Sequence, residues 1–264
     1  MPLVGRRLTL FALFGFPIRI DASWLLLAVL VVWSLGTGYF PVVVPGLPVW
    51  QYGIMGGVGL IGLASSLVAH ELSHALVARH FRMRINGITL FIFGGVAELA
   101  DEPPSARAEF LMAIAGPIAS IIVAIVVHVT AAAIGGVAPV TIVAVLEYLA
   151  VINFILGVFN LIPAFPLDGG RCLRAGLWAW RRDMGWATKI AALTGQGLGL
   201  LLMAFGLYTV VTGSLIIGGW WAVMGLFVRK AAAQSARYHR MMHRPDLGSQ
   251  GWGGPRDGGG SVQP

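Results

Sequence analysis

LVAHELSHALVARHF, residues 67–81, decides the fold. The pentad His70-Glu71-Leu72-Ser73-His74 is polar, yet it lies in an apolar run. From Gly53 to Ala69 no side chain ionises. An ionisable group at membrane depth is costly and marks a functional site by default. Packing does not explain three of them within five residues. On an α-helix, His70 and His74 stack on one face at i and i+4, and Glu71 projects from nearly the same side.

Composition sets the medium. Of 264 residues, 57% are hydrophobic and only 11% charged, and the mean hydropathy is +0.82. Soluble domains run to about 25% charged, so the chain belongs to the membrane class. The formal net charge is +7. Where those charges fall indicates a membrane surface rather than nucleic acid. Cys172 is the single cysteine, which excludes an intrachain disulfide. Arg6-Arg7 followed by Leu8–Phe16 has the outline of a signal peptide. Pro17-Ile18-Arg19-Ile20-Asp21 follows without a small-x-small cleavage site, so the segment is read as retained.

A spanning helix needs about 20 apolar residues. Six segments qualify: 23–40, 53–78, 108–134, 139–162, and two that share Ile190 to Val228 and divide near Thr212-Gly213. The sixth is the weakest, being short and rich in glycine. Arg6, Arg7 and Arg19 precede the first span. Arg79, Arg82, Arg84 and Arg107 separate the second and third, and Arg171, Arg174, Arg181, Arg182 and Lys189 separate the fourth and fifth. The remaining basic residues follow the sixth, and the other three connections carry none. This segregation puts both termini in the cytoplasm and supports an even number of spans. The expected fold is an all-α polytopic membrane protein of six helices, with a core over 1–236 and a disordered cytoplasmic tail over 237–264.

H-E-x-x-H supplies two imidazole ligands for zinc and a carboxylate able to take a proton from water. Catalytic zinc usually takes a third protein ligand. Glu98, Asp101 and Glu102 cluster in a polar connection and read as solvated charge. Glu109 stands beside Arg107 and reads as an ion pair. Glu147 and His128 fall in the outer half of their spans. Asp168 lies in NLIPAFPLDGGR, residues 160–171, at the cytoplasmic end of the fourth span. There Pro163 and Pro166 break the helix and Gly169-Gly170 permit a tight turn. Asp168 could approach the histidines from that side; a turn aspartate ahead of Gly-Gly is the alternative.

His70–His74, followed by Asn160, Pro163, Pro166 and Asp168-Gly169, resembles the site-2 protease family of intramembrane zinc metalloproteases, which pairs HExxH with a later N-x-x-P-x-x-x-x-D-G. The resemblance extends over roughly 8–230. It implies that His70, His74 and Asp168 bind one Zn2+, that Glu71 is the general base, and that Asn160 positions the substrate carbonyl or stabilises the oxyanion. RINGITLFIFGGVAEL, residues 84–99, is too short to span as a helix. Its β-branched and aromatic residues on either side of Gly94-Gly95 predict a small membrane-associated hairpin after the second span. In the family such a segment offers an edge strand to substrate, which makes Gly94 and Gly95 candidate substrate-binding residues. Gly116-Pro117 also fits the family pattern.

The expected activity is peptide-bond hydrolysis within or near the transmembrane segment of a single-span membrane protein, in regulated intramembrane proteolysis. Family likeness suggests an anti-sigma factor or a membrane-tethered transcription regulator as substrate. The expected setting is a lipid bilayer, read as a bacterial inner membrane, with no nucleic-acid partner. Some members of the family carry a PDZ module inserted between spans and others a C-terminal CBS pair, and the expectation from this sequence is room for neither. A metal-ion or proton transporter is the alternative, but its spans should carry polar groups through the whole depth of the bilayer. An inactive scaffold and a zinc protease with glutamate as third ligand are the other readings.

Overall fold

Phe14 and Gly15, with φ of 50° and 86°, form the first turn. Two consecutive positive φ values suit the tight hairpin loop that matches strand twist. They join β1 (Leu8–Leu13) to β2 (Phe16–Ile20), so the stretch that resembled a signal peptide is a β-hairpin. Its nearly continuous apolar run suits a strand as well as a helix, and the turn decides between them. The structure is a computed structural model, and it describes residues 7–92, 94–99 and 102–242.

Helix α1 (Ser23–Ser34) continues through a π-helical segment, Leu35–Tyr39, into α2 (Phe40–Val43). Pro41 has no N–H to give the ladder, and such widened turns accommodate the loss. Helix α3 (Val49–His80) carries the pentad. Strands β3 (Ile85–Phe91) and β4 (Gly94–Leu99) form the expected hairpin. Strand β2 pairs in parallel with β3, through Ile18–Ile88 and Ile20–Leu90, giving one four-stranded sheet in the order β1-β2-β3-β4. One face of this sheet packs on the pentad helix: Phe16, Ile18 and Ile88 cluster with Ala75, and Leu90 with Trp24 and Leu67.

Helices α4 (Ala106–Ile134) and α5 (Val140–Asn160) follow, then a short α6 (Asp168–Arg181), α7 (Met184–Val211) and α8 (Leu215–Met242). Ser105 caps α4 by accepting from the Ala108 N–H at 3.2 Å. Among the described residues, six stretches are long and apolar enough to cross a membrane: Ser23–Val43, Val49–His80, Ala106–Ile134, Val140–Asn160, Met184–Val211 and Leu215–Ser235. The fifth and sixth divide at Gly213, whose φ is 101°. Large apolar side chains such as Leu25, Ile61, Ile125 and Leu201 face outward along these spans, as lipid rather than water requires. The first six residues of the segment read as a tail, 237–242, continue α8, and 243–264 lie outside the described residues.

Helices α7 and α8 meet backbone to backbone. A Cβ added at Gly206 would sit 2.6 Å from the Ala222 nitrogen and 2.7 Å from the Gly218 carbonyl oxygen. Gly199 and Gly225 abut in the same way one heptad along. Gly206→Ala is therefore expected to lower the thermal midpoint in detergent, although alanine favours a helix by about 1 kcal/mol. At Gly197 an added Cβ meets nothing within 4 Å, so Gly197→Ala should leave the midpoint unchanged or raise it. A stabilising Gly206→Ala would show that the helices do not depend on this close approach.

Candidate metal centre

His70 and His74 lie on consecutive turns of α3 and are buried. His74 Nδ1 lies 2.7 Å from the Met112 carbonyl oxygen. A carbonyl only accepts, so Nδ1 carries the proton and Nε2 presents a lone pair. His70 Nδ1 lies 2.8 Å from Ser120 Oγ. The matching tautomer donates there and turns its Nε2 lone pair toward the same point. The two Nε2 atoms are 3.2 Å apart, and Asp168 Oδ2 lies 3.1 Å from His70 Nε2 and 3.2 Å from His74 Nε2. Ligands at 2.0–2.1 Å around tetrahedral zinc stand about 3.3 Å apart. Three lone-pair donors facing one buried point repel one another unless a cation lies among them, so the residues fit a zinc ion. Gly116 makes the room: a Cβ there would sit 2.7 Å from His70 Nε2 and closer still to His74 Nε2.

Asp168 reaches the histidines as the first residue of α6. Gly169 and Gly170 do not form the expected tight turn. They lie inside the first helical turn, where an added Cβ would strike the backbone of Leu161, Ile162, Ala164 or Phe165. Their use is close packing of α6 against the preceding loop. That loop is held from behind by the Phe165 N–H, which donates to the Ala191 carbonyl of α7 at 3.3 Å.

Glu71 reaches the sheet from the next position of α3. Its Oε2 accepts from the Ala97 backbone N–H of β4 at 3.0 Å. A Cβ at Gly95 would lie 2.6 Å from Glu71 Cγ, so only glycine lets β4 cross this side chain. Gly94 meets no such obstacle; it has a φ of 128°, a conformation that favours glycine. Asn160, at the last position of α5, donates from Nδ2 to the Leu156 carbonyl of its own helix at 2.9 Å.

The sequence reading missed Met112 and Ser120, which hold the two imidazoles. It also missed Asn153, buried on α5, whose Nδ2 reaches Ser66 Oγ at 2.8 Å, one turn before His70 on α3. Serine and asparagine in spans are common, and a backbone carbonyl leaves no residue signal; only the spacing of Ser120 from Gly116-Pro117 pointed there. Glu109 pairs with Arg174 and not with Arg107 as expected, because its side chain is turned inward onto α6. Burial and the nearby Asp168 and Glu109 carboxylates push the Cys172 thiol up to about 11. His128, toward the C-terminal end of α4, and Glu147, in the N-terminal half of α5, pair at 3.0 Å and are exposed.

Comparisons with known proteins place the chain in a family. The family model described as Peptidase family M50 matches residues 58–139 and 128–204. The chain is similar to Rip3 of Mycobacterium tuberculosis, named as a zinc metalloprotease, at 39% identity over 83% of this chain and 56% of that protein. It is similar to the zinc metalloprotease MJ0392 of Methanocaldococcus jannaschii at 36% identity over 86% of this chain and 60% of that protein. The chain thus spans little more than half the length of these curated relatives. Its fold matches the solved structure of a site-2 protease from Methanocaldococcus jannaschii with a TM-score of 0.61 and 33% identity, covering 88% of this chain and 96% of that one. Two motifs in order, one ligand cluster built from them and a shared six-span fold lead to one conclusion: the chain belongs to peptidase family M50.

Proposed function

We propose that the chain is an intramembrane zinc metalloprotease of the site-2 protease type, which cuts a peptide bond within or near the transmembrane segment of a membrane-protein substrate. The observation that carries this reading is the convergence of His70, His74 and Asp168 from two distant helices, with Glu71 on the next position of α3. His70 Nε2, His74 Nε2 and Asp168 Oδ2 would hold the metal. When bound, zinc supplies a Lewis acid for water and for the scissile carbonyl. Glu71 takes the proton from the attacking water and delivers it to the leaving amine.

Among the described residues strand β4 pairs with another strand, β3, on one side only, which leaves its other edge to receive an extended substrate. The Ala97 N–H on that edge is held by Glu71. A substrate carbonyl that takes over this N–H frees the Glu71 carboxylate for its role as base. Strand addition also suits the chemistry, because a helical substrate must unwind before its peptide bond is open to attack. Asn160 serves the substrate carbonyl after leaving the Leu156 oxygen. The substrate class is a single-span membrane protein, such as an anti-sigma factor or a membrane-tethered transcription regulator, cut in regulated intramembrane proteolysis. The chain sits as a multi-pass protein in the cell membrane, read as a bacterial inner membrane, with its termini cytoplasmic.

Zinc per chain in purified protein, measured beside cleavage of a model single-span substrate, tests this. Wild type should hold about one zinc. His74→Ala and Asp168→Ala should lose both metal and cleavage. Glu71→Gln should keep its zinc while its turnover falls about 10²–10⁴-fold. Full cleavage by Glu71→Gln would remove the glutamate from the mechanism. Gly95→Val should also keep zinc but lose cleavage, since its side chain collides with Glu71 and displaces β4. For Asn160→Ala, a fall in turnover of about 10²–10³-fold at unchanged zinc is expected of an oxyanion donor; unchanged turnover would leave Asn160 a structural amide.

A further inference from the structure

Glu109 is fully buried in the first turn of α4. Its Oε1 accepts from Arg174 Nε at 2.6 Å and also from Arg174 Nη2, while its Oε2 has no hydrogen-bond partner among the described residues. Arg174 lies on α6, six residues after Asp168, and its guanidinium sits 5.3 Å above the Phe165 ring. Phe165 belongs to the loop that delivers Asp168. A fork of two donors on one carboxylate is directional and stiff. Stability alone gives little reason for it, because apolar side chains of similar volume usually do as well as a buried ion pair.

The pair's place on α4 gives the reason. Glu109, Met112, Gly116 and Ser120 follow one another at three- and four-residue steps, so they form one stripe of the helix. Met112 holds His74, Ser120 faces His70, and Gly116 leaves room for both Nε2 atoms. Glu109 continues the stripe toward α6. We infer that the Glu109–Arg174 pair is a positioning device that fixes α6 against this stripe and so sets Asp168 Oδ2 opposite the two imidazoles. Neither residue touches the metal group. The inference rests on the metal centre proposed above, and it assigns a role to two residues that the ligand motifs leave out.

Zinc affinity of the full chain in detergent, read by competition with a chromophoric chelator, tests it. Arg174→Ala alone would strand a buried carboxylate, so the decisive variant is the neutral pair E109Q/R174M, compared with Asp168→Ala and with the triple variant. Partners one shell out from a metal typically contribute about 10–100-fold in affinity. E109Q/R174M is expected to lose that much, and the triple variant to lose no more than Asp168→Ala. The visible spectrum of the cobalt-substituted neutral pair should shift toward that of Asp168→Ala. Wild-type affinity in E109Q/R174M, or a loss that adds in full to that of Asp168→Ala, overturns the positioning role. Should E109Q/R174M fail to fold, Arg174→Lys decides the same question, because it keeps the charge without the fork; wild-type affinity there also overturns the role. Unchanged affinity in Asp168→Ala itself would overturn the metal centre, a distinct failure.

Discussion

Three electron-pair donors meet at one buried point, and the rest of the molecule is arranged around keeping them there. Two imidazole nitrogens and a carboxylate oxygen stand 3.1–3.2 Å apart. Left alone they repel, and burial weakens the screening that water would give. Each donor is therefore oriented by a partner on its far side. The Met112 carbonyl fixes the proton of His74, the Ser120 hydroxyl faces His70, and the packed start of α6 places Asp168. Orientation of this kind sets ligand basicity as well as position.

One face of α4 supplies most of those partners, and Gly116 keeps a side chain out of the space beside the two Nε2 atoms. The arrangement explains how ligands that lie 98 residues apart in the chain are brought together. Helix α3 brings two of them at once because their spacing matches the helical repeat. The third arrives on an element that is not a span, and it needs a loop, two glycines and support from α7 to be delivered.

The sheet meets a different constraint. A strand edge must have its N–H groups satisfied where water is scarce. Strand β2, from the N-terminal hairpin, covers one side of β3, and β4 closes the other. The outer edge of β4 runs over Glu71, which satisfies Ala97. The carboxylate proposed for proton transfer therefore also holds the strand proposed for substrate, so occupancy of one bears on the freedom of the other.

The sequence by itself determined the medium, the six apolar spans and the placing of His70 and His74 on one helix face, because these depend on local patterns. Apolar length, segregated arginines and the i, i+4 spacing of His70 and His74 are all read within single segments. The hairpin after the second span was legible for the same reason. What only the tertiary structure decided depends on contacts between segments. The strand nature of Leu8–Leu13 follows from a turn and from antiparallel pairing with β2, which itself pairs in parallel with β3, where residues near 18 meet residues near 88. The inward turn of Glu109 toward Arg174, the use of Gly169-Gly170 for packing and the partners at Met112 and Ser120 have no local signature. They arise where α4 crosses α3 and α6 and where α6 packs on the loop before it. A carbonyl, a hydroxyl and a missing side chain matter there only through what the neighbouring helix brings to them.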